Sequence, residues 1–120
     1  MKQITDLKNL NQSIKEGATI VNQNKQKIEE HKDDMKLIEM EVYLTVATEV
    51  NDVGKLYFSN DAMRQAETYL RCARNDNWIK LKEQAKTLNS ETTNQTELIS
   101  FDKREFQIIR DEIKLLTKEE

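Results

Sequence analysis

The sequence predicts an all-α fold, a long antiparallel coiled-coil helical hairpin with a short helix and a loop at its tip. Three observations carry that expectation. Proline is absent from the 120 residues and glycine occurs only at positions 17 and 54, so the residues that interrupt helices are nearly missing. Apolar residues recur every seven positions through the first half of the chain, at Leu7, Ile14, Val21, Ile28, Met35 and Val42, which is the signature of a helix that packs along one seam. A second run with alternating spacings of three and four starts at Trp78 and continues through Leu81, Leu88, Ile109 and Leu116.

These patterns divide one domain, residues 1–120, into a long helix over 3–50, a tip loop over 51–60, a short helix over 61–74 and a second long helix over 77–118. In the first helix, taking Leu7 and its repeats as a positions puts Leu10, Gly17, Asn24, His31, Ile38 and Thr45 at d. The seam is therefore apolar at both ends and polar in the middle, and Asn24 and His31 read as polar seam residues that fix register. A lone histidine lacks the companion ligands that a metal site requires, so neither a metal nor a cofactor is expected. The tip begins with Asn51-Asp52-Val53-Gly54-Lys55, which is turn chemistry, and Ser59-Asn60-Asp61 offers caps for the short helix. Asn75-Asp76-Asn77 supplies the next turn and cap. Ser90 to Thr96 is the poorest helix-forming stretch of the second long helix.

Folding the two long helices antiparallel, with Val42 near Leu81 and Leu7 near Leu116, brings His31 opposite Thr92 and Gln95, so that the polar stretches coincide. Two helices bury one stripe each. Ile4, Ile20, Ile38, Leu98, Phe101, Ile108 and Leu115 widen the stripe beyond that seam and call for a further cover, either a second copy of the chain or a partner protein.

Composition sets limits on function. The 19 Lys and Arg against 22 Asp and Glu leave a formal charge of −3, interspersed in sign, so the whole chain has no electrostatic footprint for nucleic acid. A single cysteine forms no intramolecular disulfide, no leader pattern opens the sequence and no apolar run reaches membrane-spanning length. The expectation is a soluble, cytoplasmic protein that is a homo-oligomer and does not engage a membrane.

The tip concentrates the candidate binding residues. Lys55, Tyr57, Phe58, Ser59, Asn60, Arg64, Arg71 and Arg74 form a small basic and aromatic patch. Two readings compete. Glu67 stands three residues after Arg64 and four before Arg71, placed to form surface pairs with both; alternatively the arginines hold phosphate or an acidic partner surface. Gly54-Lys55 is no phosphate-binding loop, since Glu49 stands where the pattern needs glycine and Leu56 where it needs Ser or Thr. Cys72 has no base placed beside it by sequence and reads as an inert thiol.

The run Gly54-Lys55-Leu56-Tyr57-Phe58-Ser59-Asn60-Asp61-Ala62-Met63-Arg64-Gln65-Ala66-Glu67, followed by Asn75-Asp76-Asn77-Trp78 and Lys103-Arg104-Glu105-Phe106, resembles a group of small helical proteins encoded by bacteriophages and prophages. The shared pattern is a G-K-x-x-(Y/F)-S-N-x-x-x-R loop, a short helix, and a long helix with a basic pair before an aromatic. The resemblance covers the second half of the chain, and the first half only as coiled coil. It implies a nucleic-acid-processing or host-inhibiting context, with Ser59, Asn60 and Arg64 as the matched positions.

No catalytic constellation emerges, so the expected function is non-enzymatic. The chain reads as a coiled-coil interaction protein, phage-encoded by resemblance, that binds and modulates a host or phage protein. The alternative is a nucleic-acid-associated accessory protein of phage replication or recombination, acting through the tip.

Overall fold

The structure, a computed structural model, describes residues 2–119. It is an all-α helical hairpin of three helices, α1 (Lys2–Thr48), α2 (Asp61–Cys72) and α3 (Asp76–Glu119). The chain forms two compact units. The first joins residues up to Gln26 with those from Leu88 onward, and the second is Lys27–Thr87.

In the first unit α1 and α3 run antiparallel and bury one stripe each. Gly17, Val21, Asn24 and Thr92 are buried, while Leu7, Leu10, Ile14, Ile99, Phe106 and Ile109 are half-buried along the same seam. Gly17 is there for closeness: a Cβ at this position would lie 2.9 Å from Cγ1 of Ile99, so the missing side chain lets the isoleucine seat against the α1 backbone. Ser13 donates to Asp102 Oδ2 at 2.8 Å, and Leu10 shares a shallow hollow with Glu105 and Ile109.

These contacts put the pairing one heptad away from the expected one. Leu10 lies beside Ile109, and the same register places Asn24, not His31, at the level of Thr92. Leu116, expected in the seam, comes level with the start of α1 and is 41% exposed. The polar layer exists, but it is made by Asn24 and Thr92. Thr92 satisfies itself by donating to the Leu88 carbonyl at 2.8 Å, whereas Asn24 Nδ2 is buried without a hydrogen-bond partner among the described residues.

The threonine-rich stretch does not break α3. Thr92, Thr93 and Thr96 each donate to the carbonyl four residues back, at 2.8, 3.1 and 2.8 Å, a bond that lets a β-branched hydroxyl residue sit inside a helix.

The second unit adds α2 to the pair and has the best-enclosed side chains. Val46 and Cys72 are fully buried and Ile28 and Trp78 nearly so. Met35, Val42 and Leu81 are half-buried on the facing sides of α1 and α3, and His31 is half-buried on the same stripe of α1; Leu88, also half-buried, belongs to the first unit. Thr45, the expected d residue, is exposed, and the next residue, Val46, is buried in its place. An undistorted helix drifts by about 20° per heptad relative to a seven-residue repeat. Here α1 faces α2 as well as α3, and the drift turns Val46 inward.

α2 starts at Asn60, whose extended backbone and side-chain oxygen cap the helix by accepting from the Met63 amide at 2.9 Å. Asn75 does the same for α3, accepting from the Trp78 amide at 2.9 Å. Asp61 and Asp76 lie in the first turns, and Arg71 in the last turn of α2, each complementary to the helix dipole.

The unpaired Asn24 amide gives a direct test. Asn24→Leu is expected to raise the unfolding free energy by about 1–2 kcal/mol in urea titration, since an unmet buried donor gives way to an apolar side chain that packs in the seam. A loss of stability would show that this amide is satisfied in solution.

Candidate functional site

The tip loop is a closed local structure. Asn51 Oδ1 accepts from the amides of Val53 and Lys55, both at 3.0 Å, and the Gly54 amide returns to the Asn51 carbonyl at 3.0 Å. Gly54 has φ +77°, the left-handed conformation that makes glycine the fitting residue at this corner. Val50 and Leu56 then pair across the loop as an isolated antiparallel bridge, and the Tyr57 amide donates to the Glu49 carbonyl at 3.1 Å.

Beside this loop the structure gathers part of the expected patch and ties it down. Arg71 donates through both Nη atoms to the two oxygens of Glu49, at 2.6 and 2.7 Å, and through Nε to Glu67 Oε1 at 2.9 Å. Its guanidinium also stands over the Phe58 ring, 5.9 Å from the centroid. Two carboxylates hold its pKa above the ordinary arginine value, Glu49 first and Glu67 second. Arg64 does not pair with Glu67; its Nε donates to the Phe58 carbonyl at 3.0 Å, anchoring the loop to α2. Tyr57 and Phe58 form a tilted ring pair with centroids 6.4 Å apart. Asn60 is the cap of α2. Lys55, Ser59 and Arg74 are exposed, and among the described residues neither Lys55 nor Arg74 forms an ion pair.

The patch is thus mostly a clamp. Arg71 fastens α2 to the end of α1, which leaves Lys55 and Arg74 as the uncommitted cations at the tip. Glu49 is the residue that sequence reasoning passed over. It stands 22 positions from Arg71, and nothing local announces the pair.

The second feature of this unit is a groove of about 560 Å³ between α1 and α2. Met40, Tyr43 and Leu44 line it from α1, Tyr69 and Cys72 from α2, and Trp78 from the start of α3. Most of its polar groups already have partners; the Lys36 ammonium and the Tyr69 hydroxyl, which also line it, have none among the described residues. Tyr43 donates its hydroxyl to Asp61 Oδ1 at 2.7 Å, Gln65 Nε2 donates to Asp61 Oδ2 at 2.9 Å, Thr68 donates to the Arg64 carbonyl at 2.7 Å, and Trp78 Nε1 donates to Glu39 Oε1 at 3.1 Å. Apart from Lys36 and the Tyr69 hydroxyl, what remains facing out is apolar; Met40, Leu44 and Tyr69 are each more than half exposed, as is Leu37, one turn before Met40 on α1. Leu37, Met40 and Leu44 repeat at spacings of three and four, so a second apolar stripe of α1 was present in the sequence beside the a/d seam.

Cys72 is 2% exposed, and burial first, then the Glu39 carboxylate, pushes its thiol pKa up. That is the opposite of what a nucleophilic thiolate needs. Among the described residues no helix is long and apolar enough to cross a membrane. No protein-family model, curated protein or solved structure matches the chain.

Two outcomes follow from this geometry. The hydrogen-bonded Arg71 guanidinium holds the Glu49 carboxyl below its ordinary value of 4.5. A depressed folded-state pKa gives stability that is present above that value and lost as pH falls through the lower one. Glu49→Gln is therefore expected to flatten the fall in melting temperature below pH 4.5; an unchanged acid limb would show the pair open in solution. Cys72 is expected to resist iodoacetamide in the native protein and to react at a free-thiol rate in denaturant, read by mass spectrometry. Fast labelling of the native protein would contradict its enclosure.

Proposed function

We propose that the chain is a non-enzymatic interaction protein, a homo-oligomer that binds another protein and modulates it, with the α1–α2 groove as the contact surface. The observation that supports this most is the chemistry of the groove. A concavity of about 560 Å³ whose polar atoms, Lys36 and the Tyr69 hydroxyl apart, are already bonded within the chain offers apolar area and shape, with few groups left to orient a polar substrate. Exposed Leu37, Met40 and Leu44 on one helical stripe suit the face of a partner helix, which inserts side chains at matching spacing. The resemblance to phage-encoded helical proteins makes a host or phage protein the kind of partner proposed.

The nucleic-acid reading keeps less support at the tip. Arg71 is engaged by two carboxylates and Arg64 by a carbonyl. Two remaining cations per chain make a weak phosphate contact unless many copies act together.

The test is retention of material from a host lysate on the immobilised full chain after nuclease treatment, wild type against Met40→Glu and Leu44→Glu. The expected result is a protein held by wild type and lost by both variants, because a charge in a desolvated apolar contact weakens binding by about 2 kcal/mol or more. Both side chains are exposed, so the fold should survive, as circular dichroism would check. Material that disappears with nuclease, and depends instead on Lys55 and Arg74, would overturn the reading.

A further inference from the structure

In the first unit the residues of the heptad seam are consumed within the chain. Leu7, Ile14, Val21, Ile99, Phe106 and Ile109 are buried or half-buried between α1 and α3, so they cannot also join copies. A different stripe is left open on α3. Leu98, Phe101, Glu105, Ile108, Glu112 and Leu115 repeat at spacings of three and four, and the four apolar members are each about half exposed or more. They occupy the positions flanking the internal seam, which makes α3 a helix with two adjacent apolar faces. Only one is covered.

We infer that a second copy of this chain covers the other, with α3 packed on α3 in antiparallel orientation and the two-fold axis between Glu105 and Ile108. This rests on the homo-oligomer reading above and assigns the surface that produces it. Charge decides the polarity. A parallel pair would set Glu105 against Glu105 and Glu112 against Glu112, and facing like charges are unfavourable. The antiparallel pair sets Leu98 against Leu115, Phe101 against Glu112 and Glu105 against Ile108, so no carboxylate meets its own copy. The hollow of about 400 Å³ that Phe101 and Glu105 rim then receives a side chain from the facing helix, as a knob enters a hole.

Area sets the strength. Four half-exposed side chains and the aliphatic stems between them offer roughly 500 Å² per copy, or roughly 1,000 Å² for the pair, the lower bound for a specific interface. An interface at that bound is a weak, concentration-dependent one.

Sedimentation equilibrium of the full chain tests this. Wild type is expected to pass from the mass of one chain to that of two as concentration rises to about 1 mM, and Phe101→Glu with Ile108→Glu to raise the dissociation constant at least tenfold with helix content unchanged. A wild type that stays at the mass of one chain would overturn both the surface and the homo-oligomer reading. An oligomer indifferent to that double variant but dispersed by Met40→Glu would overturn the surface alone. Polarity is read by disulfide trapping with copper phenanthroline, Cys72 being enclosed. Leu98→Cys mixed with Leu115→Cys should cross-link, and Leu98→Cys alone should not. Efficient self-linking of Leu98→Cys would overturn the antiparallel arrangement.

Discussion

Two helices in contact can hide only one stripe each, and most of what is seen in this protein follows from that limit. A stripe of mostly half-buried side chains is the whole interior of the first unit, where Gly17, Val21, Asn24 and Thr92 are the buried residues. Closeness has to compensate for thinness. The absent Gly17 side chain brings Ile99 onto the α1 backbone, which turns a loose pair of amphipathic helices into a packed one. Every apolar residue outside the stripe stays in water unless another surface covers it.

The second unit escapes the limit by adding a third helix, and among the described residues only there do side chains reach full burial, at Val46 and Cys72. α2 has 12 residues, too few to be stable alone. It is fixed by its Asn60 cap, by Arg64 on the Phe58 carbonyl and by Arg71 bridging Glu49 and Glu67. The Arg71 pairs are about a third exposed, so their energetic worth is modest. Their value is directional, since a bidentate guanidinium sets the angle at which α2 leaves the loop. The groove is the space that this angle leaves open.

Helix type, number and approximate limits were legible because they rest on local pattern: no proline, two glycines, and repeats that persist for dozens of residues. Register was not, and the reason lies in the same repeat. A heptad pattern slid by seven residues looks the same to itself, so His31 against Thr92 and Asn24 against Thr92 are equally good matches in periodicity. What separates them is single contacts of unusual size or polarity, Gly17 with Ile99 and Ser13 with Asp102, and these carry no periodic signal. The candidate site divides in the same way. Asn60 and Asn75 as caps follow from residue type and position, and Glu67 with Arg71 from helical spacing. Glu49 with Arg71 and Tyr43 with Asp61 depend on a loop whose path sequence does not give.

The way the chain turns back at Gly54 also orders its assembly in time. Contacts near the loop join residues close in sequence, 22 positions apart for Glu49 and Arg71, while Trp78 and Glu39 are 39 apart and Ser13 and Asp102 are 89 apart. The entropy of closing a loop grows with the logarithm of its length. Once the nearest contacts have formed, each further turn of helix adds only a short increment of chain to be closed. Loop-closure entropy therefore favours folding that starts at the tip and zips outward, with the first unit, however well Gly17 seats Ile99, formed last.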